Sequence, residues 1–149
     1  MTKAIAIFSV IILSAFVFTS CQKDDQEPKA SELLTNEIWK GTTASAGAMG
    51  YAMQTEDIST VTLEFLYNDT VNLYDGGELQ GTGTWSLSNN DTTLNLSIDE
   101  SIDVGGMDFS LNEVTVETLT ETELTLAGKQ TVNYQGFEIE VEYSANFEH

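Results

Sequence analysis

The sequence predicts a single all-β domain: an antiparallel up-and-down meander of about eight strands that closes into a barrel, preceded by a signal peptide and a flexible tether. Three observations carry this expectation. The chain has 149 residues, room for one domain. After residue 37 apolar and polar residues alternate with a period of two, the pattern of strands buried on one face. Short clusters of Asn, Asp and Gly punctuate the alternation, so consecutive strands are expected to pair as hairpins.

The leader comes first. Met1-Thr2-Lys3 is a short positive start, and Ala4 to Thr19 carries no charge. A membrane span needs about 20 apolar residues, so this run fits the apolar core of a secretory signal better than a permanent helix. It ends Phe18-Thr19-Ser20-Cys21, which resembles the lipobox of bacterial lipoproteins. That resemblance implies cleavage before Cys21, which then carries a diacylglyceryl thioether and an N-acyl chain such as palmitate. A retained signal anchor with an incidental cysteine is the alternative. Gln22-Lys23-Asp24-Asp25-Gln26-Glu27 resembles the surface-export signal of lipoproteins in some Gram-negative bacteria. It implies an outer-membrane protein facing outward; a solvated tether facing the periplasm is the plainer reading. The organisation expected is a signal peptide over 1–20, lipidated Cys21 with an acidic tether over 21–31, and the barrel over 32–149. Residues 22–31 are polar and include Pro28, a composition that builds no core.

Ser31 to Glu37 has the residues of one helical turn, with Ser31 as its cap. A strand is expected near Ile38–Ala46. Val61, Leu63, Phe65 and Tyr67 share a face, and Val71 and Leu73 follow after Asn68-Asp69. Asp75-Gly76-Gly77 turns the chain. Leu79, Gly81, Gly83, Trp85 and Leu87 then line one face of a long strand. Glycine at such inward places permits a sharp bend or leaves room inside. Asn89-Asn90-Asp91 turns again, and Leu94, Leu96 and Ile98 follow. Asp99 to Gly106 reads as a looser loop. Met107, Phe109 and Leu111 fall at odd positions but Val114 and Val116 at even ones, so a β-bulge is expected at Asn112-Glu113. Leu124, Leu126, Gly128, Val132 and Tyr134 come next. After the Gln135-Gly136 turn, Phe137, Ile139, Val141, Tyr143, Ala145 and Phe147 alternate with Glu138, Glu140 and Glu142. Closure into a barrel removes exposed edges; a β-sandwich is the structural rival.

Ile38-Trp39-Lys40-Gly41-Thr42, Leu63-Glu64-Phe65 and Gly81-Thr82-Gly83-Thr84-Trp85-Ser86-Leu87 resemble the small lipocalin-like domains of bacterial lipoproteins. The likeness spans roughly residues 33–147. It implies a calycin-like barrel and, as a default, binding of a small apolar ligand.

Composition excludes several chemistries. Twenty-four acids face five lysines and no arginine, for a formal charge of −19. Such a chain repels nucleic acid. One Cys and one His cannot assemble a structural zinc site, and the single Cys forms no disulfide within the chain. A Ser-His-Asp relay would have to use His149. The carboxylates mostly occupy the solvent phase of the strands, and nothing singles out a pair for hydrolysis. No enzymatic activity and no cofactor are expected.

The candidate ligand-binding residues are Trp39, Met49, Tyr51, Met53, Phe65, Trp85, Phe109 and Tyr134, with Cys21 for lipidation. Trp39 and Trp85 line a cavity or serve as core. The stretch Ala44 to Met53 reads as a lid at the barrel mouth, its methionines adaptable to apolar ligands, or as a plain loop. Only Lys40 and Lys129 lie in the barrel region, so a neutral or cationic ligand is expected. Asp99, Ser101, Asp103 and Asp108 offer oxygens suited to calcium, but Val104 and Ser110 stand where an EF-hand needs Gly and Glu. A solvated acidic loop accounts for the same residues, and no metal is expected. Asn68-Asp69-Thr70-Val71 and Asn90-Asp91-Thr92-Thr93 resemble an O-glycosylation sequence of bacteria that export such lipoproteins; turn chemistry favours the same residues. The function expected is therefore a surface-exposed outer-membrane lipoprotein whose barrel binds a small apolar molecule. The alternative is a non-enzymatic interaction module that presents an acidic barrel to a protein or polysaccharide partner, with Leu66 as an outward apolar candidate.

Overall fold

The alternating segments form strands, and the strands form a ring. A computed structural model describes the backbone of residues 28–48, 54–104, 107–134 and 136–149, and the side chains of all of these except 103, 104, 107, 108 and 134. The leader, Cys21 and residues 22–27 lie outside the described residues, as do Met49, Tyr51 and Met53.

The elements are α1 (Ala30–Asn36), β1 (Ile38–Ala48), β2 (Gln54–Asp57), β3 (Val61–Phe65), β4 (Thr70–Asp75), β5 (Glu78–Ser88), β6 (Thr93–Ser97), β7 (Ser101–Val104), β8 (Met107–Ser110), β9 (Glu113–Leu119), β10 (Glu123–Tyr134) and β11 (Phe137–Glu148). In one sheet β1, β3, β4, β5, β6, β9, β10 and β11 pair in that order, and β11 returns to β1. The closing register runs antiparallel from Lys40↔Glu148 to Ala48↔Val141. Eight strands thus close the barrel, which excludes the sandwich. β2 pairs with the second half of β1 while β3 pairs with its first residues, so the two lie along the same side of one long strand.

The loop expected after Ile98 is instead a hairpin. β7 and β8 form their own two-stranded sheet, with Ile102 opposite Phe109. The phase slip at Asn112-Glu113 therefore marks no bulge within a strand. β8 ends at Ser110 and β9 begins at Glu113, in a different sheet. A register shift falls elsewhere: Leu73 faces Gly81 but Tyr74 faces Leu79, which leaves Gln80 as the extra residue. An extra residue inverts the side-chain phase beyond it. Leu79, expected inside, consequently stands 56% exposed.

α1 starts at Ala30 with Lys29 as the N-cap, two residues before the expected cap Ser31. The Lys29 N–H donates to Glu32 Oε2 (3.3 Å), and Glu32 and Leu33 N–H both donate to the Lys29 carbonyl. At seven residues the helix is too short to be stable alone. Leu34, fully buried, and Trp39, whose Nε1 donates to the Leu34 carbonyl at 3.0 Å, fix it to the barrel end. Ile102 and Phe109 are buried at the opposite pole, so the helix closes one end and the β7–β8 hairpin the other.

Candidate functional site

The inner face is the first place to seek a site. Trp39, Leu63, Phe65, Val71, Leu94, Val114, Leu124, Leu126 and Phe147 are all buried there. Each large ring has a settled position. Trp85 Nε1 donates to the Leu66 carbonyl at 3.1 Å, and its ring meets Phe65 edge-on at 5.6 Å between centroids. Trp39 meets His149 edge-on at 4.7 Å. No buried polar or charged residue faces this interior among the described residues.

The inward glycines show what takes the room they leave. A Cβ on Gly83 would overlap the Ser97 carbonyl and stand 2.9 Å from Ile98 Cγ1. A Cβ on Gly81 would stand 2.8 Å from Glu100 Cγ. The chain leaving β6 thus folds across the bare inner face of β5. Gly128 faces its cross-strand partner Tyr143, whose ring lies over it. Backbone and side chains of the protein itself fill these spaces.

Tyr143 also holds the hairpin. Its hydroxyl donates to the Ser110 carbonyl at 2.6 Å, and its ring packs against Phe109 at 4.9 Å. On the same strand, Ser110 N–H donates to Gln130 Oε1 at 3.0 Å. Burial pushes the Tyr143 phenol pKa up.

Surface clefts are the second place. One of about 310 Å³ lies at the hairpin pole, where β2, β3, β4, β5 and β7 converge. Ile58, Val61, Leu73 and Ile102 supply its apolar lining, and Asp57, Asp75 and Glu100 its carboxylates. Ser59 N–H donates to Asp57 Oδ1 at 2.8 Å, and the Ser59 hydrogen bonds hold that carboxyl below its ordinary pKa. A second cleft, of about 360 Å³, lies beside Lys129, Glu142 and Tyr143. Lys129 Nζ stands 2.6 Å from Glu142 and 3.7 Å from Glu140; the Glu142 hydrogen bond leads in raising its pKa. Elsewhere the outer face of β3, β4 and β5 carries a polar ladder. Glu64 Oε2 accepts from Asn72 Nδ2 (2.9 Å) and the Tyr74 hydroxyl (2.8 Å), bonds that lower the Glu64 pKa.

The sequence candidates divide accordingly. The structure brings Trp39, Phe65, Trp85 and Phe109 into the buried core. Tyr134 ends β10 opposite Phe137 at the hairpin pole, and Phe137 is 73% exposed. Leu66 is half-buried in a tight turn, its N–H donating to the Thr70 carbonyl at 2.8 Å. Of the oxygen ligands weighed for calcium, Asp103 and Asp108 sit opposite each other on β7 and β8. The cleft carboxylates were not singled out by the sequence, because they come from separate strands at no fixed spacing. Asp69, Asn89, Asn90 and Asp91 have left-handed backbone, with φ between 53° and 64°, a conformation Asn and Asp tolerate best. Thr92 beside them is exposed, whereas Thr70 is half-buried. No helix among the described residues is long and apolar enough to cross a membrane. No protein-family model matches the chain, and no curated protein matches it in sequence.

Proposed function

We propose that the protein is a lipoprotein of a Gram-negative outer membrane, held by acyl chains on Cys21 and facing outward. Its lipocalin-like barrel acts there as a non-catalytic module that presents an acidic surface to a protein partner. The observation that supports presentation over carriage is the filling of the inner face: Ser97, Ile98, Glu100 and the Tyr143 ring take the space left by Gly81, Gly83 and Gly128. A barrel of eight strands can be just wide enough for its own side chains. The leader and Cys21 support the anchor, since two or more acyl chains give stable attachment at about 0.8 kcal/mol per buried methylene. With residues 1–20 removed, the formal charge is −20, which favours a basic partner.

A second reading is carriage of a small apolar molecule, neutral or cationic. It draws on the hairpin cap, which rests on Tyr143 and Gln130; its displacement would open a mouth onto Leu73 and Val141 at that end of the inner face. Native mass spectrometry of the protein extracted from its own membranes separates the two. Presentation predicts the acylated chain with no stoichiometric apolar passenger. A stoichiometric apolar passenger that copurifies with the acylated chain refutes presentation and establishes carriage.

A further inference from the structure

The cleft at the hairpin pole joins an apolar floor to an acidic rim. Ile58, Leu73 and Ile102 are each at most 5% exposed and close it from below. Asp57, Asp75 and Glu100 line it from three different strands or connections, and no lysine is among its lining residues. The described part of the chain has only Lys29, Lys40 and Lys129, so this cleft has no cation of its own. At about 310 Å³ it is at the small end of the range of ligand pockets, room for one side chain and its neighbour.

Lys and Arg side chains match that pairing of surfaces. Each has an apolar stem that lies along greasy surface and a charged head that seeks carboxylate or water. An Arg head also makes charge-assisted, two-pronged bonds to a carboxylate. We infer that this cleft is a docking site for a basic segment of a partner protein. An Arg or Lys stem lies on Ile58, Leu73 and Ile102, its head reaches Asp75 and Glu100, and a neighbouring apolar side chain of the segment covers Val61. The cleft lies at the pole opposite α1, the end at which the tether joins the barrel. The inference rests on the presentation reading and names its site.

The test uses the acylated chain from Cys21 to His149 in phosphatidylcholine nanodiscs, with empty discs as blank. The probe is a fluorescent Ac-Arg-Leu-Arg-Leu-amide bearing a photo-crosslinker. Saturable binding is expected, with crosslinks to residues lining the cleft. Replacing both Arg by Glu in the probe is expected to abolish binding, and replacing both Leu by Gly to weaken it. The double variant Asp75→Asn/Glu100→Gln is expected to bind about tenfold more weakly, from about two- to fivefold for each exposed charge pair. The control Glu121→Gln/Glu148→Gln removes as much charge on exposed residues at the opposite pole and is expected to change binding less than about twofold, as screening beyond a Debye length of about 8 Å dictates. Equal weakening by the two double variants, or crosslinks confined to another face, overturns the inference. So does absence of binding; the presentation reading then still stands or falls on the passenger measurement.

Discussion

Replacing Gly128 by alanine tests whether the barrel mouth is held by one tyrosine. A Cβ at this position would stand 2.5 Å from Tyr143 Cζ and 3.0 Å from Cε1, so the ring must move. Overpacking of this kind costs about 1–3 kcal/mol. A displaced ring also gives up its hydroxyl bond to the Ser110 carbonyl, a loss of about 0.5–1.5 kcal/mol, and part of its contact with Phe109. Alanine recovers about 0.4–1 kcal/mol by restricting the unfolded chain. The net expectation is a loss of about 2 kcal/mol, against about 1 kcal/mol for Tyr143→Phe alone. The double variant lacks the hydroxyl that the new methyl crowds, so its loss should fall short of the sum by about 0.5–1 kcal/mol. Urea unfolding followed by tryptophan fluorescence gives the three stabilities. Hydrogen exchange at Phe109 and Ser110 should accelerate in both single variants, because the hairpin loses its tie. Strict additivity, or a neutral Gly128→Ala, would refute this account of the mouth.

Four further outcomes are expected. Gly83→Ala forces apart β5 and the chain after β6 and should cost about 1–3 kcal/mol by urea unfolding. Trp39→Phe strands the Leu34 carbonyl and loosens α1, for about 2–3 kcal/mol in the same assay, with the largest rise in exchange at residues 32–36. Glu64 is held below its ordinary pKa by Asn72 first and Tyr74 second, so its contribution is present above the unfolded value near 4.3 and lost as pH falls through the lowered folded value; Glu64→Gln should flatten the acid limb of the stability profile. Intact mass of the membrane-extracted protein should show acylation that Cys21→Ser abolishes, and any O-glycan should sit on exposed Thr92 before half-buried Thr70.

Much of the barrel was legible because one physical rule, burial of one strand face, writes itself at every second residue. Val141 to Phe147 is the clearest case: Val141, Tyr143, Ala145 and Phe147 are buried where the alternation puts them, whereas Phe137 at the start of the same strand is exposed. The rule fails where one residue is inserted. Gln80 inverted Leu79, and nothing in Glu78-Leu79-Gln80-Gly81 marks the bulge. The β7–β8 hairpin was missed although Ser101-Ile102-Asp103-Val104 and Met107-Asp108-Phe109-Ser110 alternate around Gly105-Gly106, the form of a tight hairpin. Its aspartates read as a solvated or metal-binding loop. The inward glycines are legible in the sequence, but what fills their space is not, because Ser97, Ile98, Glu100 and Tyr143 reach them from other parts of the chain. The acidic cleft was not legible at all, because five separate strands bring its residues together.

Closure of the ring by β1 and β11 has a consequence for biogenesis. Thr42 and Asn146, joined by a 3.1 Å hydrogen bond, are 104 residues apart in the chain. Until the C-terminal strand is in place, the growing sheet has two raw borders with unsatisfied amides, open to pairing with other chains. Closure of the ring therefore waits until the last strand, Phe137–Glu148, has been made.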